Sequence, residues 1–178
     1  MESRSVDVIQ ELEAMGFSIN WTLLKIGYEG GAFLPQQLSI EAVCQYAEKF
    51  LENVDLDNEL VVRLIIAVED DYEFLRILER LAETECIDRS IQERKWRAYL
   101  VQKELSMIPN DYLNGLLELT SFWISLGLPK DCPHIVQGRN NSYTPREYYT
   151  QKVFDELMAK NKQWLKDEIE CIKSLDSL

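Results

Sequence analysis

His134, the only histidine of the chain, lies two positions after Cys132, and this pair has the residue types best suited to catalysis. In an extended segment such a spacing puts both side chains on one side, with α-carbons about 6–7 Å apart. The pair could form an activated thiol or half of a zinc site. No second Cys/His pair exists to complete the zinc site. We therefore interpret Cys132 and His134 as anchors of a long loop, and predict no metal, no cofactor and no enzyme activity.

A run of carboxylates at Glu69, Asp70 and Asp71 could bind Mg²⁺ or exchange protons with a substrate. Neither a phosphate-binding glycine loop nor EF-hand spacing accompanies the run. Aspartate is common at a helix junction because its side chain accepts hydrogen bonds from free backbone N–H groups. The sequence therefore favours a capping role here, and a similar one for the segment Asp55–Glu59.

The basic residues Arg94, Lys95 and Arg97 surround Trp96, a pattern that can bind nucleic acid. The chain as a whole carries a net charge of −12, which repels a phosphate backbone. We expect Trp96 to lie in the core, the three cations to face solvent or the acidic half of the chain, and no nucleic acid to bind.

The net charge lies entirely in the first half of the chain. Residues 1–87 contain 18 acidic and 6 basic residues, whereas residues 88–178 contain 13 of each. Such a field attracts basic partners, although acidity can also serve solubility alone. The candidate residues for binding a basic protein are Asp55, Asp57, Glu59, Glu69, Asp70, Asp71 and Glu73.

The elements that must position these residues are helices. Capping residues at Asn20, Ser39, Asp88 and Thr144 precede apolar residues at helical spacing. Glycine and proline, at 7 and 5, are too few for many tight turns. We predict a single all-α domain over residues 1–178, built as a bundle or stack of antiparallel helix pairs with about seven or eight helices.

Three segments carry more specific predictions. "DNELVVRLIIAVED", residues 57–70, is apolar nearly all round and is predicted to be a central helix. The helix over 110–126 is followed by a long loop, residues 127–143, in which "CPHIV" packs and "QGRNN" is exposed and mobile. A last helix runs from Pro145 to about Ser174. The inward face predicted for the helix over 110–126 comprises Tyr112, Leu113, Leu116, Leu117, Thr120, Trp123 and Ile124.

No stretch of about 18 uninterrupted apolar residues predicts a membrane span, and the amino end lacks the pattern of a signal peptide. The four cysteines are scattered without a CxxC pair, which favours reduced thiols and a cytoplasmic protein.

Five motifs along the chain resemble a domain-of-unknown-function family of small, acidic, helical bacterial proteins. They are "WTLLKIGYEGG", "AVCQYAEKFLEN", "DNELVVRLIIAVEDD", "ERKWRAYLVQKEL" and "FWISLGLPKDCPHIV", and they cover the chain from about Asn20 to the last helix. The resemblance implies a candidate immunity protein beside polymorphic toxins, and it carries over no catalytic residue.

The leading hypothesis is a non-enzymatic cytosolic binding protein, an immunity protein that neutralises a basic toxin domain. The alternatives are a small regulatory or scaffold module with a hydrophobic interface, and an enzyme centred on His134.

Overall fold

The computed structural model describes residues 4–53 and 58–176, in which there are nine α-helices and no β-strand. The all-α prediction is confirmed for this part of the chain. About seven or eight helices were predicted, and one of the nine observed, Pro145–Tyr148, has only four residues. A 3₁₀ turn, Ala67–Glu69, follows the fourth helix. The helices are α1 Arg4–Ala14, α2 Trp21–Glu29, α3 Ile40–Asn53, α4 Glu59–Ile66, α5 Asp71–Glu83, α6 Arg89–Met107, α7 Tyr112–Ser125, α8 Pro145–Tyr148 and α9 Gln151–Asp176.

The described residues group into two compact units. Unit 1 contains those up to Trp96 together with Leu175 and Asp176, and unit 2 contains Arg97–Ser174. The boundaries fall inside α6 and α9, so neither coincides with a loop. The single-domain organisation over residues 1–178 stays a prediction.

Local side-chain caps begin several helices, as the sequence predicted. The Asn20 side chain accepts a hydrogen bond from Leu23 N at 2.8 Å, and Ser39 Oγ accepts one from Ala42 N at 3.3 Å. Thr144 and Glu147 form a reciprocal capping box with Pro145 at the first helical position. These caps satisfy backbone donors that the first turn leaves without intrahelical partners.

The prediction that one helix runs from Pro145 to about Ser174 was wrong at its start. The capping box begins the four-residue α8, and the chain leaves helical geometry at Tyr149, with φ −80° and ψ 73°. Thr150 then begins α9, because its hydroxyl accepts from Val153 N and its carbonyl accepts from Phe154 N. Tyr148 is buried, and its hydroxyl donates to the carbonyl oxygen of Ile135 at 2.6 Å, which holds this turn against the preceding loop.

In unit 1, α2 packs against α5 and α3, α3 also packs against α1 and α4, and α4 packs against α5. Trp96 is buried beside α2, and its indole N–H donates to the carbonyl oxygen of Leu23 at 2.8 Å. Gly27 allows this approach. A Cβ at Gly27 would overlap the Trp96 indole and lie 2.9 Å from Leu38 Cδ1.

Replacing Gly27 with alanine is therefore expected to lower the free energy of unfolding by about 1–3 kcal/mol, the usual effect of overpacking a core. The clash outweighs the gain of about 1 kcal/mol that alanine has over glycine in a helix. Urea unfolding measures the difference. Gly31→Ala is the matched control, since a Cβ there meets only Leu34 Cβ at 3.7 Å, and equal stability of the two variants would contradict the prediction.

In unit 2, the buried face of α7 differs from the predicted one. Leu116, Leu119 and Trp123 are buried, whereas Leu113, Leu117 and Ile124 of the predicted face are exposed. Because α7 is apolar around most of its circumference, the sequence supports several overlapping stripes and does not select one. Gly115 allows a close approach between α7 and α9, since a Cβ there would lie 2.5 Å from Phe154 Cε2 of α9.

Candidate functional site: an acidic and apolar surface on α4 and α5

The candidate acidic residues lie along α4, the 3₁₀ turn and the start of α5. Glu59, Glu69 and Asp71 are exposed. None of the three forms an ion pair with another residue in the described ranges. Their three negative charges are therefore not compensated by an ion pair within the described ranges, and they lie within 13 consecutive positions of the chain. The candidates Asp55 and Asp57 lie outside the described residues.

Asp70 has the capping role that the sequence favoured for this run. Its carboxylate accepts hydrogen bonds from the backbone N–H groups of Tyr72 at 3.1 Å and Glu73 at 3.0 Å. These bonds satisfy two donors in the first turn of α5, where a negative charge also complements the helix dipole. Asp70 is thus committed to the structure of α5 even though it is exposed.

Glu73 forms ion pairs with the two nearby cations. One of its carboxylate oxygens lies 2.9 Å from Arg63 Nη2, and the other lies 3.1 Å from Arg76 Nε. Both arginines are thereby held by a carboxylate that is itself only partly exposed. Glu59, Glu69 and Asp71 are therefore the carboxylates of this region that form neither an ion pair within the described ranges nor a helix cap.

The prediction that the segment 57–70 forms a central helix was wrong for most of its apolar residues. Val61 and Leu64 are fully buried, but Val62 is 37% exposed, Ile66 74% and Val68 41%. α4 packs one side against α3 and α5 and turns the other outward. An apolar helix in sequence can therefore be half exposed when it lacks a neighbour on its second side.

These exposed apolar residues lie next to the uncompensated carboxylates. Glu59, Val62 and Ile66 follow one another at spacings of three and four, which places them on one face of α4. Tyr72, in the first turn of α5, is 78% exposed. We define the α4–α5 surface as Glu59, Val62, Ile66, Val68, Glu69, Asp71 and Tyr72.

Two of the three cations around Trp96 are held inside the protein. The prediction that they face solvent or the acidic half of the chain was wrong for Arg97, whereas Lys95 contacts Ser18 of that half. The Lys95 side chain is 0% exposed, and its ammonium lies 2.7 Å from Asp176 Oδ2. In unit 2, the Arg97 guanidinium lies 2.8 Å from Asp131 and 3.3 Å from Glu168, and stacks 5.2 Å from the centre of the Trp164 ring. These cations are held by carboxylates within the protein.

The loop 127–143 packs through His134, as predicted. His134 is 7% exposed, and its Nε2 lies 2.8 Å from Thr120 Oγ1 and 3.3 Å from the Tyr148 hydroxyl. Burial lowers the pKa of His134 to about 4. Ile135 and Val136 are half-buried, and Gly138, Arg139 and Asn140 are exposed, while the mobility of this part stays a prediction.

The Cys132 thiol is turned to the backbone, where it donates a weak hydrogen bond to the His134 carbonyl oxygen at 3.7 Å. Burial raises the pKa of this thiol, which reduces the share of the nucleophilic thiolate. Within the described ranges, no group of three or more His, Cys, Asp or Glu side chains could hold a metal ion. The hydrogen bond of the Cys132 thiol and the burial of His134 fit the predicted anchoring role of the pair.

Two buried polar residues of α9 were not singled out from the sequence. Asn161 accepts a hydrogen bond from the Trp123 indole N–H at 2.7 Å and donates to Leu157 O at 2.7 Å. Glu168 is 8% exposed. Both lie three or four positions from Leu157, Trp164 or Ile172, on the same face of the helix. A polar residue within this apolar stripe could have indicated a buried polar side chain from the sequence.

Taken together, the described residues define a small all-α protein with an exposed apolar surface edged by carboxylates. None of its described helices is long and apolar enough to cross a membrane. The chain belongs to the family described as "Uncharacterized protein conserved in bacteria (DUF2247)", which matches residues 9–169 and confirms the resemblance seen in the five motifs. No curated protein and no solved structure matches the chain.

Proposed function

We propose that this protein is a non-enzymatic cytoplasmic binding protein that holds a basic protein partner on the α4–α5 surface. The observation that carries the proposal is the exposure of four large apolar side chains between positions 62 and 72, beside three carboxylates without ion-pair partners in the described ranges. Contiguous exposed apolar residues with a polar rim are typical of protein interaction sites.

The apolar and acidic parts of this surface have different roles in binding. Burying Ile66 and Tyr72 against a partner supplies most of the affinity, since a large apolar side chain contributes about 1.5–3 kcal/mol when fully buried. Glu59, Glu69 and Asp71 speed association with a basic domain and select it over acidic proteins. The charge of −12 in residues 1–87 extends this attraction beyond contact distance.

The role that we propose for this binding is that of an immunity protein neutralising a basic toxin domain. The proposal rests on the acidic surface together with the resemblance to small acidic bacterial proteins. A regulatory or scaffold module with a hydrophobic interface is the second candidate, and the high exposure of Ile66 and Tyr72 favours it. The two candidates differ in how strongly binding should depend on salt.

Neutralising the rim with Glu59→Gln, Glu69→Gln and Asp71→Asn should weaken binding to the basic partner about tenfold at about 50 mM salt, and less at about 500 mM. The partner is first captured on the immobilised protein from a lysate of the encoding bacterium, then purified and titrated by calorimetry. Asp70 is left unchanged because its carboxylate caps α5.

Matched controls distinguish the effect of this surface on affinity from the general effect of removing a charge or an apolar side chain. Glu48→Gln, Glu52→Gln and Glu83→Gln remove three other exposed charges of unit 1 and should change affinity much less. Ile66→Ser should weaken binding at both salt concentrations, unlike Phe33→Ser, which truncates an exposed apolar side chain outside this surface. Equal affinities for rim and control variants would refute the proposed surface. Loss with Ile66→Ser alone would instead favour the scaffold module.

A further inference from the structure

A groove of about 510 Å³ runs along α9 beside the carboxyl-terminal part of α6, within unit 2. Its floor is formed by Leu105 of α6 and by Leu165 and Ile169 of α9, all half-buried. A second cavity of about 540 Å³ adjoins it and shares Leu105, Ser106 and Lys162. We call the two together the α6–α9 groove.

The residues that α9 contributes to this groove follow helical spacing. Met158, Lys162, Leu165, Ile169 and Lys173 are separated by four, three, four and four positions, so they lie along one face. At 1.5 Å per residue this face is about 22 Å long. A helix of about four turns could therefore pack beside α9 over its whole length.

The rim of the groove is basic, in contrast to the net charge of the protein. Lys162 and Lys166 are exposed and form no ion pair with any residue that the structure describes. Lys173 also lines the groove, and the carboxylates that line it are Glu170 and Asp155, so the lysines outnumber them by three to two. An apolar floor with lysines beside it complements an amphipathic helix that carries carboxylates on its flank.

We propose that the α6–α9 groove binds an amphipathic helix of a partner protein. The apolar side chains of the partner helix pack on Leu105, Leu165 and Ile169. The Asp or Glu residues of that helix pair with Lys162 and Lys166. An anionic membrane presents the same negative charge, and the vesicle measurement described below distinguishes it from a helix. This proposal is independent of the α4–α5 surface, so either can fail without the other.

The probe is a labelled synthetic helix of about 18 residues with leucine at helical spacing and glutamate on both flanks. Fluorescence anisotropy is expected to show binding that is at least about tenfold tighter than that of the same peptide with lysine in place of glutamate. Lys162→Glu with Lys166→Glu should weaken binding of the glutamate peptide about tenfold and strengthen that of the lysine peptide.

Lys152→Glu with Lys160→Glu is the matched control, since both lysines are exposed on α9 and do not line the groove. Amide chemical shifts on adding the glutamate peptide to the ¹⁵N-labelled protein should change near Leu105 and between Lys162 and Lys173. Absence of binding, equal effects of groove and control variants, or shift changes elsewhere would overturn the proposal. Binding to phosphatidylglycerol vesicles without binding to the peptide would assign the groove to a membrane and also overturn it.

Discussion

Replacing Asp176 with alanine should lower the free energy of unfolding by about 3–5 kcal/mol, the range seen when a buried ion pair loses one partner. The Lys95 ammonium is fully buried in unit 1, 2.7 Å from Asp176 Oδ2. It also donates to Ser18 O at 2.9 Å and Ser18 Oγ at 3.0 Å. These acceptors match the three donors of an ammonium. Without Asp176 the charge would stay buried with only neutral acceptors.

Denaturant unfolding followed by circular dichroism measures this loss, and two further variants define its cause. Glu170→Ala, an exposed carboxylate of the same helix, should change stability by no more than about 0.5 kcal/mol. Lys95→Met combined with Asp176→Ala should recover most of the loss, because neither charge then remains. A loss for Asp176→Ala no larger than for Glu170→Ala would show that the ion pair does not stabilise the fold.

Acidification from pH 7 to pH 4 should lower the free energy of unfolding of the wild-type protein. The decrease should be about 3 kcal/mol larger than that of the His134→Gln variant over the same pH range. Burial lowers the pKa of His134 from its ordinary value of 6.5 to about 4, and each unit corresponds to about 1.36 kcal/mol. Above pH 6.5 the ring is neutral in both states, so it contributes no pH dependence. Between pH 6.5 and about pH 4 the unfolded chain binds a proton that the folded protein does not, and stability falls.

Because His134 is the only histidine, its imidazole proton resonance reports this pKa directly. Urea unfolding at half-unit intervals of pH then gives the two stability curves. The curves of wild type and His134→Gln should be parallel above pH 7, which serves as the internal control, and should converge as the pH falls. Curves that stay parallel down to pH 4 would mean that the folded protein accepts the proton as readily as the unfolded chain.

Helix starts were the part of the fold that sequence reasoning predicted best. The caps at Asn20, Ser39, Asp70 and Thr144 depend on hydrogen bonds to backbone groups two or three residues away, so donor and acceptor lie in the same short segment. The carboxylates of the candidate surface could also be predicted locally, because the clustering of Asp and Glu is visible in the order of residues along the chain.

The apolar half of the α4–α5 surface could not be predicted. Ile66 and Val61 have the same chemistry and lie in the same helix, yet one is 74% exposed and the other fully buried. The difference depends on where α3 and α5 pack, and these contacts join residues distant in sequence. Leu117 and Leu119 on α7 repeat this contrast in unit 2.

The sequence by itself therefore determined the helical class, most helix starts, the acidic first half and the family. Each of these depends on composition, on neighbours within a few residues, or on motifs read along the chain. Only the tertiary structure decided that Lys95 is buried against Asp176, that Asn161 holds Trp123, and that α4 turns half of its apolar surface outward. Burial is a property of packed neighbours, and a side chain acquires it only when distant segments come together.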